Sequence, residues 1–339
     1  KRKIALITGI SGQDGSYLAD FLLKKNYIVI GTKRRSKQKN NWRLKRLSIE
    51  KKIIYEFMDL NKIHEIEKVF NKYKFSEVYN LAAQSSVGTS FKSPLNTAIT
   101  TSLGTLRILE TIKSTNPRIK FYQASSSEMF GDTIGIRQDE KTDLNPKSPY
   151  GISKVMSHHL TINYRNSYNI FAVSGILFNH ESPLRGVEFV TRKIISSLVK
   201  ILNNDLQFFE LGNIYSNRDW GYAKEYVEAM WLMLQQKKPK DFVIATGKNY
   251  TIKEFINLST VHLGFRTKWI GKGYNEKLIN KDNGKVIIKI NKNLFRPSEI
   301  NYSKGVAKKA FDELKWKPKT SLKKLVKIMI DDEIKYYRD

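Results

Sequence analysis

The chain has 339 residues, no cysteine, and 60 Lys and Arg against 32 Asp and Glu, a formal charge of +28. Disulfides, thiolate nucleophiles and thiolate metal sites are excluded, and the length allows two domains or one large domain with a lobe. No stretch approaches the ~18 apolar residues of a membrane span, and the short apolar run near residue 4 is no signal-peptide core. A cytoplasmic protein with no membrane partner and no bound metal is expected.

Ile4-Ala5-Leu6-Ile7 reads as a buried strand, followed by Thr8-Gly9-Ile10-Ser11-Gly12-Gln13-Asp14-Gly15 and the apolar-periodic Tyr17–Leu23. Strand, glycine-rich turn and helix in that order are the context a dinucleotide-binding motif requires. Gly9 takes the tight turn, Gly12 lets backbone approach a pyrophosphate, and Gly15 lets the helix pack closely on the strand. A second strand, Tyr27–Gly31, runs into Thr32-Lys33-Arg34-Arg35 with no acidic residue. An acid there would hold the ribose hydroxyls of NAD, whereas arginine suits the 2′-phosphate of NADP. NADP is the expected cofactor.

The basic cluster Lys33–Lys39 is extended by Arg43, Lys45 and Arg46. Elsewhere the lysines are spread over exposed helix faces, and no nucleic-acid module signature appears. No specific nucleic-acid partner is expected.

Lys52–Phe57 reads as a third strand ending at Asp59-Leu60, beside the adenine in such a fold. A helix over 62–73 follows, with Ile63, Ile66, Val69 and Phe70 on one face. Glu77–Gln84 is a fourth strand entering a small-residue turn, Leu81-Ala82-Ala83, where a cofactor can approach the backbone. Pro94 to Lys113 reads as one long helix and Arg118–Ser125 as a fifth strand. Strands alternating with helices imply an α/β, Rossmann-type doubly wound parallel sheet, with ligands outside the carboxyl ends of the strands. A smaller α/β C-terminal substrate-binding domain should complete the fold. The expected division is 1–178 for NADP, with returning segments near 215–247, and mainly 179–214 and 248–339 for substrate.

Ser125-Ser126-Ser127-Glu128 follows the fifth strand, and Ser148-Pro149-Tyr150-Gly151-Ile152-Ser153-Lys154 opens a helix continuing through Tyr168. Tyr150 and Lys154 share a helix face. An ammonium beside a phenol favours the phenolate, which can take a proton from a sugar hydroxyl as hydride leaves that carbon. Gly271–Asn291 reads as a hairpin or flexible excursion, and a last amphipathic helix contains Leu322, Leu325, Ile328 and Met329.

This combination resembles the extended short-chain dehydrogenase/reductases and, among them, the GDP-mannose 4,6-dehydratases. The stretches Gly175–Arg185 (GILFNHESPLR), Phe189–Lys193 (FVTRK), Arg218–Gly221 (RDWG) and Phe295–Glu299 (FRPSE) carry the resemblance to that family. It implies oxidation of GDP-mannose at C4, loss of water across C5–C6 and hydride return to C6. It implies Tyr150 as base, Lys154 as its modulator, Ser126 on the C4 oxygen, and Glu128 as both base and acid in the elimination. Ser127 stands where the dTDP-glucose 4,6-dehydratases carry a separate Asp acid. The implied cofactor contacts are Thr8, Gly9, Ser11, Gly12, Gln13, Asp14, Gly15, Arg34, Arg35, Asp59, Leu60, Leu81, Ala82, Ala83, Tyr150 and Lys154. The implied sugar-nucleotide contacts are Ser85, Asn179, Arg185, Val190, Lys193, Gly212, Arg218, Arg296 and Glu299.

The resemblance also implies a homotetramer, a dimer of dimers, in which the loop over Lys37–Leu47 reaches a neighbouring subunit's cofactor. Ser126 replaces the family's usual Thr, and Thr101 an Asn common in extended members. The alternatives are the same dehydration of another nucleotide sugar, such as a GDP-manno-heptose, or an NADP-dependent epimerase or reductase.

Overall fold

The computed structural model describes residues 2–35, 41–133 and 135–337. The first part alternates strand and helix: β1 (Ile4–Thr8), α1 (Gln13–Lys24), β2 (Ile28–Lys33), α2 (Trp42–Arg46), β3 (Ile54–Phe57), α3 (Ile63–Lys72) and β4 (Glu77–Asn80). Next come α4 (Val87–Lys92), α5 (Pro94–Ala98), α6 (Gly104–Thr115), β5 (Lys120–Ser126), α7 (Pro149–Tyr168) and β6 (Ala172–Leu177). The middle of the chain supplies β7 (Asn179–Glu181), α8 (Val190–Leu202), β8 (Phe209–Leu211), β9 (Asn217–Arg218), β10 (Trp220–Tyr222), α9 (Ala223–Leu234) and β11 (Phe242–Ile244). The remainder forms β12 (Tyr250–Thr251), α10 (Ile252–His262), β13 (Thr267–Ile270), β14 (Lys277–Asn280), β15 (Val286–Ile290), α11 (Lys308–Leu314) and α12 (Leu322–Lys335).

The main sheet has seven parallel strands in the order β11-β6-β5-β4-β1-β2-β3. Its central strands are buried on both faces, as their unbroken apolar runs require. Leu18, Leu22, Val227, Met230 and Met233 cover one face from α1 and α9. Ile66, Val69, Phe70, Ile108, Ile112 and Tyr164 cover the other from α3, α6 and α7. The order reverses at β1, whose neighbours are β2 and β4. A crevice opens there beyond the carboxyl ends of the strands.

The C-terminal part has its own core, with Ile194, Leu198, Phe255, Ile256, Leu278, Ile288, Leu325 and Met329 packed together. Gly271–Asn291 is the hairpin of the two outcomes expected: β14 and β15 pair antiparallel. They extend into a sheet ordered β13-β14-β15-β8. The apolar face of β15, with Ile287 and Ile288 buried, draws it onto the body.

The single helix expected over Pro94–Lys113 is interrupted by a π turn at Ile99–Leu103. There the Thr101 carbonyl accepts hydroxyl donors from Thr105 (2.8 Å) and Ser157 (3.2 Å). The Thr101 hydroxyl itself is buried without a partner among the described residues. Of the Lys37–Leu47 loop, residues 37–40 lie outside the described residues, and Trp42–Arg46 form α2. Among the described residues no helix is long and apolar enough to cross a membrane.

Candidate active site

The glycine-rich turn closes β1 onto α1. Gly9 has φ +69°, and a Cβ there would stand 3.0 Å from the Ala82 nitrogen. A side chain on Gly15 would run into the Gly9 carbonyl. Gly15→Ala is therefore expected to cost about 1–3 kcal/mol of stability through forced displacement of the turn, read as a lowered midpoint in thermal unfolding. An unchanged midpoint would contradict the tight fit.

Thr8 ties the turn to the next strand. Its hydroxyl donates to the Asn80 side-chain carbonyl at 2.8 Å and accepts from the Leu81 and Ala82 N–H groups at 3.0 Å. These bonds leave Thr8 fully buried and hold the small-residue turn beside the cavity.

Serine and carboxylate come from the end of β5. The Ser126 hydroxyl accepts from the Glu128 N–H at 3.2 Å, capping the short turn Ser127–Met129. Tyr150 and Lys154 come from the first turns of α7. Ser148 caps this helix by accepting from the Gly151 N–H at 3.0 Å, and Pro149 occupies its first turn. Gly151 admits the Glu128 carbonyl, 2.8 Å from where a Cβ would stand. The helix thereby lies directly against the carboxylate's turn.

A cavity of about 960 Å³ runs along this crevice. Ser126, Glu128, Tyr150 and Lys154 all line it. So do Gly9, Ser11, Gly12, Gln13, Asp14, Gly15, Leu81 and Ala83 of the expected cofactor set. Ser85, Asn179, Arg185, Val190, Lys193, Gly212, Arg218, Arg296 and Glu299 of the expected sugar-nucleotide set line it too. The other expected residues do not: Thr8, Ala82 and Leu60 contribute packing and backbone bonds, and Asp59 accepts from the Asn61 N–H at 3.0 Å. Arg34 and Arg35 stand exposed past β2, Arg35 over the Phe57 ring at 5.6 Å.

Burial dominates the electrostatics. It pushes the Tyr150 phenol up to about 12, against the opposing pull of the Ser126 hydroxyl. It draws the Lys154 ammonium down to about 8, with Asp14 working the other way. Lys154 Nζ donates to the Ala124 carbonyl at 2.6 Å and lies 5.7 Å from the centre of the Tyr150 ring. The shared helix face predicts that the ammonium lowers the phenol. Instead the ammonium is turned to the Ala124 carbonyl, and desolvation prevails. Burial also raises the Glu128 carboxyl, with Arg218 and Arg296 pulling it back and Glu299 adding to the rise. A carboxyl raised in this way is a stronger proton acceptor than an exposed one.

At the far side of the cavity Arg218 pairs with Glu299 at 2.7 Å and donates to the Ile300 carbonyl at 2.6 Å. Arg296 lies 3.6 Å from the same carboxylate. Lys193 donates to the Glu210 carbonyl at 2.7 Å. Together these groups form a cationic wall.

Sequence reasoning missed His180. Its Nε2 sits 2.8 Å from Asp14 in the glycine-rich turn, and its ring stacks on Tyr226 at 4.7 Å. Burial opposes both charges, yet the pair prevails: the His180 imidazole is raised and the Asp14 carboxyl is lowered. Its neighbour Glu181 accepts from Thr191 and pairs with Arg185 at 3.2 Å. The only signal in the sequence was that both lie in the family stretch around Asn179. Neither periodicity nor spacing points across 166 residues to Asp14.

The fold is the Rossmann-type α/β fold that solved nucleotide-sugar epimerases and dehydratases share. Among solved structures the chain is similar to a dTDP-glucose 4,6-dehydratase of Streptomyces venezuelae, with TM-score 0.83, 17% identity, and 99% and 98% of the two chains covered. It is also similar to a UDP-glucose 4-epimerase of Thermotoga maritima, with TM-score 0.82, 22% identity and the same coverage. The chain belongs to the GDP-mannose 4,6-dehydratase family, whose model matches residues 6–329, and is a hydro-lyase of that family. Relatives of that name are 46% identical in Cricetulus griseus and 45% in Homo sapiens, each over 99% of this chain and 93% of the relative. The Vibrio cholerae relative is 43% identical over 98% of this chain and 94% of its own length.

Proposed function

We propose that the chain dehydrates GDP-mannose to GDP-4-keto-6-deoxy-mannose, with NADP as resident cofactor. The observation that carries this reading is the meeting of Ser126, Glu128, Tyr150 and Lys154 in one cavity with the glycine-rich turn. The structural relatives whose descriptions name NAD support a nicotinamide. The absence of an acid after β2, with Arg34 and Arg35 in its place, favours NADP.

The turn fits a dinucleotide: glycine at 9 and 15 lets the turn close against the Leu81–Ala82 backbone and against the Gly9 carbonyl, and the N-terminus of α1 faces the cavity. Gly9, Ser11, Gly12, Gln13, Asp14 and Gly15 would hold the diphosphate side, Arg34 and Arg35 the 2′-phosphate, and Asp59 and Leu60 the adenine side. Leu81, Ala82 and Ala83 border the path between, and Thr8 holds that turn in place. The nicotinamide would accept hydride from C4 and return it to C6, leaving no net redox change.

Tyr150 takes the proton of the C4 hydroxyl, and Ser126 donates to the same oxygen as it becomes a carbonyl. Lys154 supplies positive charge beside Tyr150 once a ribose and phosphates share the pocket. The new ketone acidifies the C5 proton. Glu128 removes that proton and delivers it to the departing C6 hydroxyl, which leaves as water. When hydride comes back to C6, Tyr150 gives the proton it took from the C4 hydroxyl to C5, which completes the product and regenerates the base. Arg185, Lys193, Arg218 and Arg296 line the cavity and would meet the substrate's diphosphate. Asn179, Glu299, Ser85, Val190 and Gly212 would line its base, ribose and sugar.

Self-association is part of the reading. Leu95, Ile99, Ile152 and Met156 are 78%, 38%, 57% and 42% exposed on α5, its π turn and α7, and α5 packs along α7. Such an apolar stripe supports burial against a second copy and the tetramer.

Mass spectrometry of GDP-mannose incubated with the protein and catalytic NADP tests the function. The expected product is lighter by one water, with no accumulation of NADPH. Unchanged GDP-mannose with folded, NADP-loaded protein would overturn the substrate assignment and keep the cofactor.

A further inference from the structure

We propose that Arg43 is a binding residue for the diphosphate of the dinucleotide. Among the described residues of the basic cluster after β2, this is the side chain that lines the cavity. The inference rests on the reading that the glycine-rich turn holds such a cofactor.

The guanidinium is fixed before any ligand arrives. Its Nε donates to the Leu184 carbonyl at 2.6 Å, and its Nη1 donates to the Ser11 carbonyl at 3.0 Å. Its plane lies 4.5 Å from the Trp42 ring centre. Arg43 thus joins α2 to the glycine-rich turn on one side and to the Ser182–Leu184 turn on the other. It occupies the Ser11 carbonyl, whose lone pairs would otherwise repel an anion beside Gly12. The Nη2 group makes no hydrogen bond among the described residues.

Its charge lacks a partner. Arg185 pairs with Glu181, Arg46 with Asp332 and Arg192 with Glu333, but Arg43 forms no ion pair among the described residues. Burial weakens its cation, and Glu188 and Asp14 compensate only from a distance while Arg185 and Arg192 add repulsion. A desolvated guanidinium held on a rigid frame without a carboxylate is completed by an anion entering the cavity. The Ser11–Gly12 backbone beside it selects the cofactor's diphosphate over the substrate's.

The test is equilibrium titration of the whole protein with NADPH, NADH and GDP, followed by nucleotide fluorescence or calorimetry. Arg43→Met is expected to weaken NADPH and NADH by the same factor, about 10- to 100-fold, the worth of a charge-assisted hydrogen bond to phosphate. GDP affinity should stay near wild type, while the thermal midpoint falls with the two lost carbonyl bonds. Arg43→Gln keeps a donor for the Ser11 carbonyl while removing the charge, and is expected to lose most of the same affinity. Lys45→Met removes an exposed charge from the same helix and should change nothing. The proposal fails if Arg43→Gln binds both dinucleotides like wild type. It fails also if only NADPH weakens, which would assign Arg43 to the 2′-phosphate, or if GDP weakens with them. Wild-type protein that binds neither dinucleotide would instead remove the cofactor reading beneath it.

Discussion

Glu128→Gln is expected to lower turnover of GDP-mannose by about 10²- to 10⁴-fold, the range for removing a positioned acid–base group. Gln is nearly isosteric, so the turn capped by Ser126 should survive. It accepts no proton, so the C5–H bond is left intact and the C6 hydroxyl has no acid. The loss should fall on elimination alone. Substrate incubated in deuterated water should then show no deuterium at C5, whereas wild type leaves it there in product or returned substrate. Oxidation at C4 should persist, visible as partial nicotinamide reduction in a single turnover. Turnover within a few-fold of wild type would remove Glu128 from the mechanism. That result would move the chain towards the epimerase or reductase reading.

Tyr150→Phe should produce a loss of similar size, about 10²- to 10⁴-fold, at an earlier step. The ring still fills its buried position, so folding and nucleotide affinity should change little. With the phenol gone, the C4 hydroxyl keeps its proton and no ketone forms. No C5 exchange and no nicotinamide reduction should appear, which separates this variant from Glu128→Gln. Restored C4 oxidation in Tyr150→Phe would show that another group is the base. Burial pushes the phenol up to about 12, and bound NADP is expected to offset part of that rise. Tyr150 should ionise at lower pH in the NADP complex, followed by tyrosinate absorbance against a Tyr150→Phe baseline.

Much of the proposed catalytic set was legible because its spacing is local. Tyr150 and Lys154 are one helical turn apart, Glu128 follows Ser126 by two residues, and the three glycines of the turn lie within one loop. Each pattern is fixed by short-range geometry, so a linear reading recovers it. The parallel sheet was legible for the same reason, as apolar runs alternating with amphipathic helices.

What could not be read is long-range or a matter of energy balance. Asp14 meets His180 across 166 residues, and Arg43 reaches the Ser11 and Leu184 carbonyls through two chain segments. A basic cluster reads alike whether its members are solvated, as Lys45 is, or built into a cavity wall. The π turn at Ile99–Leu103 depends on hydroxyl groups from α6 and α7 competing for one carbonyl. The pairing of β15 with β8 carries no signature within the hairpin.

The order of residues alone dictated the glycine turn, the lack of an acid after β2 and the residue types of the acid–base set, since these depend on chemistry along neighbouring positions. Folding in three dimensions decided which cations face the cavity, which are paired, and which way burial moves each proton. Desolvation and Coulomb interactions depend on what packs around a group through space, so a raised Glu128 carboxyl and a lowered Lys154 ammonium belong to the fold rather than to any motif.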